Sequence, residues 1–212
     1  MIRKPAIERA LHPPESALPP IILASASPRR AELLRAAGIS FDDVVSPANE
    51  PEKKPAGIPT ELWPTCLAYM KATAVRDHLG KKAKARLILA ADTIVVNNSD
   101  GKILNKARNR AHARHMLLSL RGKTHRVITG IALLQDDRVR LASATALCRV
   151  TKFPNALLES YLDSNLWRGK AGAYGIQDEH DPFVHLVSGD ITTVIGLPME
   201  LVRRELATFL RG

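Results

Sequence analysis

A ten-residue apolar run with one carboxylate inside it, LILAADTIVV from Leu87 to Val96, constrains the fold more than any other segment. Its residues are apolar at successive positions rather than at alternate ones, which is typical of a strand that is covered on both faces of its sheet. Strand patterns and helix patterns alternate before and after this run. The sequence therefore predicts an α/β protein with a mixed central sheet.

The other elements follow from apolar spacing and from the residues that start and stop helices. A strand at 21–24 is predicted to run into a helix that begins at Ser27-Pro28 and ends before Gly38. Apolar residues at helical spacing predict further helices at 60–79, 107–120, 154–162 and 198–210. Alternating patterns predict a turn with a short return strand after Val96, a hairpin at 127–134 and 138–150, and short strands near 174–177, 183–187 and 192–195.

Proline usage and cysteine usage bound the organisation of the chain. Eleven of the 14 prolines lie in the first 64 residues, so we predict an irregular leader at 1–19 and one domain at 20–212. No apolar run reaches the roughly 18–20 residues of a membrane span, and MIRKPAIERALHPPES lacks the apolar core of a signal peptide. Cys66 and Cys148 show no disulfide or metal-site spacing. We expect a cytoplasmic protein without membrane contact.

The net charge of +10 is concentrated in one part of the chain. Between Arg76 and Arg126 there are thirteen Lys and Arg residues and three acids. A basic field of this kind attracts polyanions, either nucleic acid or small polyphosphates. Aromatic residues that could stack on bases are nearly absent from the window, which disfavours single-stranded nucleic acid. A solvated basic surface is the alternative.

The segment Ser25-Ala26-Ser27-Pro28-Arg29-Arg30 lies where the first strand is predicted to meet the first helix. The first turn of a helix presents unpaired N–H groups that bind phosphate. The two arginines would add bidentate donors, and Ser25 and Ser27 would add hydroxyls. The alternative is an ordinary capped helix that carries two surface arginines.

Asp92 interrupts the apolar run, and a carboxylate is costly to bury unless it is paired or binds a cation. The hydroxyl of the adjacent Thr93 could bind a metal ion or a phosphate. Alternatively, Asp92 lies at an exposed strand end and accepts backbone hydrogen bonds. Glu50, in the polar segment SPANEPEKKP, looks by itself like any loop acid.

Two lysines and one glutamine complete the candidate residues. Lys71 lies on a predicted helix, where most lysines are solvated, and Lys106 lies just before another helix, where the helix dipole disfavours a cation. Gln177 ends the glycine-dense stretch GKAGAYGIQ and could read a base edge, because its amide both donates and accepts hydrogen bonds. A turn-rich connection is the alternative for this stretch.

Five stretches in order resemble the Maf family of nucleotide pyrophosphatases: LASASPRRAELLRAAGISF, LAADTIVV, ARHMLLSLRGKTHRVITGIAL, GKAGAYGIQ and VIGLPMELV. The resemblance covers about 21–206. It implies an α/β fold with a curved mixed sheet, flanking helices and a cleft, as in inosine-triphosphatase-like proteins, and usually a homodimer. It also implies that a nucleoside triphosphate is hydrolysed to the monophosphate and pyrophosphate with Mg²⁺ or Mn²⁺, in a role that clears non-standard nucleotides.

The same resemblance assigns roles to the candidate residues. Asp92 and Glu50 are expected to bind the metal ion, and Asp92 to accept the proton of the attacking water. The expected catalytic residues are Asp92, Glu50, Lys71 and Lys106. The expected substrate-binding residues are Ser25, Ser27, Arg29, Arg30, Thr93 and Gln177.

The base preference is the least determined feature. The Ile-Gln ending resembles the family branch that acts on dTTP and UTP, and the branch that acts on 7-methyl-GTP is the alternative. The segment Asp178-Glu179-His180-Asp181 replaces the glycine-rich turn of the first branch and could reshape the base pocket. Two functions without catalysis also stay open, a nucleic-acid-binding or cell-division regulatory protein and a nucleotide sensor.

Overall fold

The computed structural model describes residues 21–51, 53–177 and 183–211. Within these ranges the strands are β1 Ile21–Ala24, β2 Phe41–Val44, β3 Ile88–Asn97, β4 Ile103–Leu104, β5 Thr124–Gln135, β6 Arg138–Val150 and β7 Val184–Ser188. The helices are α1 Pro28–Ala36, α2 Trp63–Leu79, α3 Arg110–Leu120, α4 Asn155–Asp163, α5 Ile191–Ile195 and α6 Met199–Arg211, with a 3₁₀ turn at Gly80–Ala83.

All of these strands belong to one mixed sheet in the order β2-β1-β3-β5-β6-β7, and β4 pairs with the far end of β3. β1 runs parallel to both β2 and β3, whereas β5, β6 and β7 continue the sheet in antiparallel fashion. Helices pack on both faces. The prediction of an α/β fold with a mixed sheet is confirmed, as is the hairpin of β5 and β6.

The two faces of β3 are both covered, as its continuous apolar pattern predicts. On one face Ile88 and Ala90 pack against Ala68 and Ala72 of α2. On the other face Leu89, Ala91 and Val95 belong to the larger core, which α1, α3, α4 and α6 complete. Because side chains alternate along a strand, Asp92 lies on the α2 face and Thr93 on the opposite face.

A gap in strand pairing opens the sheet beside these two residues. β1 pairs with β3 only up to Ala24, which lies opposite Ala90, and β4 pairs with β3 only from Val95 onward. On that side, no strand of the described ranges pairs with 91–94. Beyond Ala24 the chain turns away into α1, so Asp92 and Thr93 both border a cleft at the carboxyl end of β1.

Two of the predicted short strands are wrong. Residues 174–177 form no strand and end in a turn at 176–177, and residues 192–195 lie in α5. The β-branched residues of α5 favour a strand, but Asp190 caps the helix by accepting a 2.9 Å hydrogen bond from the Thr192 N–H. Gly196 then ends the helix with a φ of 119°. Local capping thus overrides the preference of the side chains.

Helix starts show smaller differences from the predictions. Asn109 caps α3, so that helix begins at Arg110 rather than at 107. The Ser27 side chain makes no capping bond, and instead the Ser27 N–H donates to Ser25 Oγ at 3.2 Å.

Two predicted segments lie outside the described residues, the leader at 1–19 and the acidic segment at 178–181. The division of the chain at residue 20 therefore stays a prediction. Among the described helices, none has both the length and the apolar composition that a membrane span requires.

Candidate active site

A cleft of about 440 Å³ lies at the carboxyl end of β1, between the start of α1, the open edge of β3 and the glycine-dense stretch. All ten residues that the sequence singles out line it: Ser25, Ser27, Arg29, Arg30, Glu50, Lys71, Asp92, Thr93, Lys106 and Gln177. Their convergence is an observation, whereas the role of each one stays a prediction.

Arg30 is a buried cation of the cleft, only 9 % exposed, and three hydrogen bonds hold its guanidinium. Its Nε donates to the Gly196 carbonyl at 2.8 Å, and its two terminal nitrogens donate to Ser25 Oγ at 3.0 Å and Thr93 Oγ1 at 3.4 Å. Burial lowers the pKa of Arg30, and the nearby charge of Asp92 raises it. Among the described residues no carboxylate forms an ion pair with Arg30, so its charge is available to an anion.

The glycine-dense stretch is tied to the two flanks of the cleft. Arg29 donates to the Gly169 carbonyl at 3.3 Å, which joins the stretch to α1. Lys106 forms an isolated β-bridge with Ala171, and Gly172 N–H donates to the Leu104 carbonyl at 3.1 Å. These contacts hold the segment that leads to Gln177 against the start of α1 and against the chain that follows β4.

The acid pair, Glu50 and Asp92, lies on the α2 side of the cleft. The Lys71 ammonium contacts both members, at 3.2 Å from Glu50 Oε2 and in a short hydrogen bond with Asp92 Oδ1. Asp92 is 14 % exposed and Glu50 is 42 % exposed. Ser46 Oγ donates to the Lys71 carbonyl at 3.2 Å and ties the loop before Glu50 to α2. One cation can therefore contact both carboxylates.

Gly130 explains how α2 comes close enough for Lys71 to reach the acid pair. It lies directly opposite Asp92 in the pairing of β3 with β5. A Cβ on Gly130 would lie 2.3 Å from the backbone nitrogen of Thr65, in the first turn of α2. The backbone of α2 thus packs directly against β5 at Gly130, which has no side chain.

The acid pair is chemically suited to a hard divalent cation. Mg²⁺ commonly takes one or two protein carboxylates and fills its other positions with water and substrate phosphate oxygens. Glu50 and Asp92 supply that number of carboxylates. The described residues hold no cluster of three or more His, Cys, Asp or Glu side chains suited to a metal ion. Water molecules and phosphate oxygens would supply the other ligands of an ion held by the acid pair.

Sequence reasoning missed several residues that shape the cleft. Arg168 and Lys170 line it, and Lys170 is only 8 % exposed, although the glycine-dense stretch around it had been singled out. Thr129 and Gly196 hold Thr93 and Arg30 by hydrogen bonds. A lone threonine in a strand, or a glycine after a short helix, carries no local signal of such a role.

Tyr174, another lining residue, is held in place by a hydrogen bond with His125. The His125 Nε2 and Tyr174 Oη lie 2.6 Å apart, and His125 is fully buried. Burial lowers the pKa of His125 to about 4, so the ring is neutral at physiological pH. This pair supports the lining of the cleft and adds no charge to it.

Comparison with known proteins finds one matching family model and several similar proteins. A family model described as Maf-like protein matches residues 20–209. Proteins called dTTP/UTP pyrophosphatase from Exiguobacterium sibiricum and Pyrococcus furiosus are 37 % and 39 % identical to the chain, over 90 % and 86 % of its length and 92 % and 91 % of theirs. A third from Bacillus anthracis is 38 % identical over 89 % of the chain and 95 % of its own length.

One solved structure is also similar, a nucleoside-triphosphatase / dITP/XTP pyrophosphatase from Mycobacterium abscessus. It is 17 % identical to the chain and covers 91 % of it, and the chain covers 95 % of that structure. The TM-score is 0.38, which is too low to assign a fold by comparison.

Proposed function

Because the chain belongs to the Maf family, we propose that it hydrolyses a nucleoside triphosphate to the nucleoside monophosphate and pyrophosphate. One observation carries the proposal: the anchored Arg30 and the acid pair line one cleft. Arg30 contacts Thr93 on one face of β3, and Asp92 lies next to Thr93 on the opposite face. A polyphosphate chain needs cations to bind it, and carboxylates repel it unless a metal ion mediates between them.

Arg29 and Arg30 are the proposed phosphate ligands at the start of α1. The guanidinium of Arg30 needs little reorganisation on binding because its contacts with Gly196, Ser25 and Thr93 already orient it. Lys106 lines the same cleft, and its proposed role is to neutralise charge on the leaving pyrophosphate. Ser25 and Ser27 complete the proposed contacts at the helix start.

Asp92 and Glu50 are the proposed ligands of a divalent ion, Mg²⁺ or Mn²⁺. When bound, such an ion neutralises phosphate charge and makes a water molecule more acidic. Asp92 would remove the proton from the water that attacks the α-phosphorus. Lys71 already contacts Asp92, and we propose that it orients this carboxylate and balances its charge during the reaction.

The proposed substrates are dTTP and UTP. The names of the relatives support this preference, and so does Gln177, whose amide can pair with a base edge at the rim of the cleft.

A substrate panel tests the proposal. Pyrophosphate release is measured from dTTP, UTP, dCTP, GTP and 7-methyl-GTP, with Mg²⁺, with Mn²⁺ and with EDTA. We expect dTTP and UTP to be hydrolysed fastest and EDTA to abolish the reaction. If 7-methyl-GTP were clearly fastest, the other branch of the family would be correct; if no triphosphate released pyrophosphate, the enzyme proposal would fail.

The rival proposal of a nucleic-acid-binding or division-regulating protein finds less support. Six of the thirteen Lys and Arg side chains of the basic window form exposed ion pairs. These pairs are Arg76–Asp77, Arg86–Asp42, Lys102–Asp100, Arg110–Glu159, Arg110–Asp163, Arg114–Glu159 and Arg126–Glu61. A regulatory protein of this kind would bind DNA or RNA in a salt-dependent way. It would also be indifferent to mutation of Asp92.

A homodimer and a cytoplasmic location are further parts of the proposal. Where β6 extends beyond β7, Val139 and Leu141 are large exposed apolar side chains at the sheet edge, which supports an interface there. Light scattering that gave the mass of one chain would contradict the dimer.

The two free cysteines suit a reducing compartment, and cell fractionation would test the location.

A further inference from the structure

Thr129 lies beneath the cleft, fully buried on β5 and in hydrogen-bond contact with Thr93. Its Oγ1 is 2.8 Å from the Thr193 carbonyl and 2.9 Å from Thr93 Oγ1. A carbonyl oxygen can only accept, so the single hydroxyl proton of Thr129 must point to Thr193. In the contact with Thr93, Thr129 is therefore the acceptor and Thr93 the donor.

We call Thr93, Thr129 and the Thr193 carbonyl the threonine chain. Each hydroxyl in it donates to the next member, from Thr93 to Thr129 to the Thr193 carbonyl. Thr93 has one proton, and the bond to Thr129 uses it. The remaining lone pairs of Thr93 Oγ1 accept from Arg30, whose Nη2 lies 3.4 Å away. While the chain is intact, Thr93 cannot donate a hydrogen bond into the cleft.

From these contacts we infer that Thr129 is a positioning residue for the bound triphosphate. It holds Thr93 as a hydrogen-bond acceptor, and Thr93 in turn holds the Arg30 guanidinium toward the phosphates. A threonine free to rotate could instead turn its proton toward a phosphate oxygen and its lone pairs away from Arg30. The inference rests on the proposed function, because it assumes that a triphosphate occupies this cleft.

The threonine chain and Arg30 are both supported by α5. Both the Thr193 carbonyl and the Gly196 carbonyl, which accepts from Arg30, belong to α5 or its cap. A Cβ on Gly196 would lie 3.2 Å from Thr93 Oγ1, so α5 packs tightly against Thr93. Asp190 caps α5 at its other end. One short helix therefore supports Arg30 in two ways, directly through the Gly196 carbonyl and indirectly through the threonine chain.

Binding of a non-hydrolysable analogue, α,β-methylene-dTTP, tests the inference without relying on turnover. Calorimetry in the presence of Mg²⁺ compares the wild type with two variants. Thr129→Val keeps the shape of the side chain but removes the hydroxyl, and Thr129→Ser keeps the hydroxyl. We expect Thr129→Val to weaken binding about tenfold, as is typical for the loss of one buried hydrogen bond. Thr129→Ser should bind within about twofold of the wild type. The control is Thr145→Val on β6, which we expect to bind like the wild type.

A double-mutant cycle separates positioning from a general loss of structure. In a Thr93→Val background, Thr129→Val should change affinity by less than about twofold, because the hydroxyl it orients is already absent. The same loss in both backgrounds, or a Thr129→Val variant that binds like the wild type, would overturn the inference. If Thr129→Val does not fold, Thr129→Ala enters the same cycle with the same criteria. If the wild type hydrolyses and binds triphosphates but the two substitutions have additive effects, only the role of Thr129 is refuted. If the wild type does not bind the analogue, both proposals are refuted.

Discussion

The Asp92→Asn variant is expected to lose roughly three orders of magnitude in turnover, as is typical when a general base is removed. Asparagine keeps the size of the side chain and can still accept a hydrogen bond from Lys71. It lacks the negative charge and cannot take a proton from water. Arg29, Arg30 and Lys106 are unchanged, so we expect the affinity for α,β-methylene-dTTP to change much less than turnover.

The measurement combines the rate of pyrophosphate release at saturating Mg²⁺ with calorimetric binding of the analogue. Asp77→Asn is the matched control, because Asp77 lies exposed near the end of α2 and pairs only with its neighbour Arg76 among the described contacts. That variant should hydrolyse at the wild-type rate. Near-normal hydrolysis by Asp92→Asn would remove Asp92 from the mechanism.

Gly130→Ala is expected to destabilise the protein by about 3 kcal/mol, at the upper end of typical overpacking effects. The new Cβ would lie 2.3 Å from the Thr65 backbone nitrogen, so α2 must move away from the sheet. Such a loss corresponds to a fall of about 9 °C in Tm for a chain of this size. Because Lys71 lies on α2, its contact with Asp92 should weaken as well, and turnover should fall.

Thermal unfolding followed by circular dichroism measures this effect. Gly57→Ala is the control, because a Cβ there meets nothing within 4 Å, although its φ of 83° makes alanine strained. We expect that control to lose only about 1 kcal/mol. Equal Tm values for Gly130→Ala and the wild type would show that the close approach of α2 to β5 is not required.

The residues that could be predicted from sequence are those that break a local rule. Asp92 stands out because a carboxylate interrupts a buried strand, and Arg29 and Arg30 stand out because a helix starts there. The fold followed from the same reasoning, since the pattern of β3 requires helices on both faces. Glu50 is different, because its segment resembles any polar loop and only the resemblance to the family drew attention to it.

The rest depends on topology that no local pattern encodes. The cleft exists because β1 stops opposite Ala90 while β3 continues. The lengths of the two strands were predicted, but the register in which they pair was not. The contact of Lys71 with the acid pair depends on Gly130, which lies about 60 residues away along the chain and looks like an ordinary strand glycine. The wrong strand at 192–195 has a similar origin, because two capping residues outweigh a run of β-branched ones.

The position of bond cleavage is the most direct test of the central claim, that arginines and carboxylates in this cleft together direct water to the α-phosphorus. Hydrolysis of dTTP in ¹⁸O-labelled water, with both products analysed by mass spectrometry, reports which phosphorus the water attacks. We expect dTMP and pyrophosphate as the products, with the label in dTMP alone. Label in the pyrophosphate, or release of dTDP and inorganic phosphate, would contradict the account.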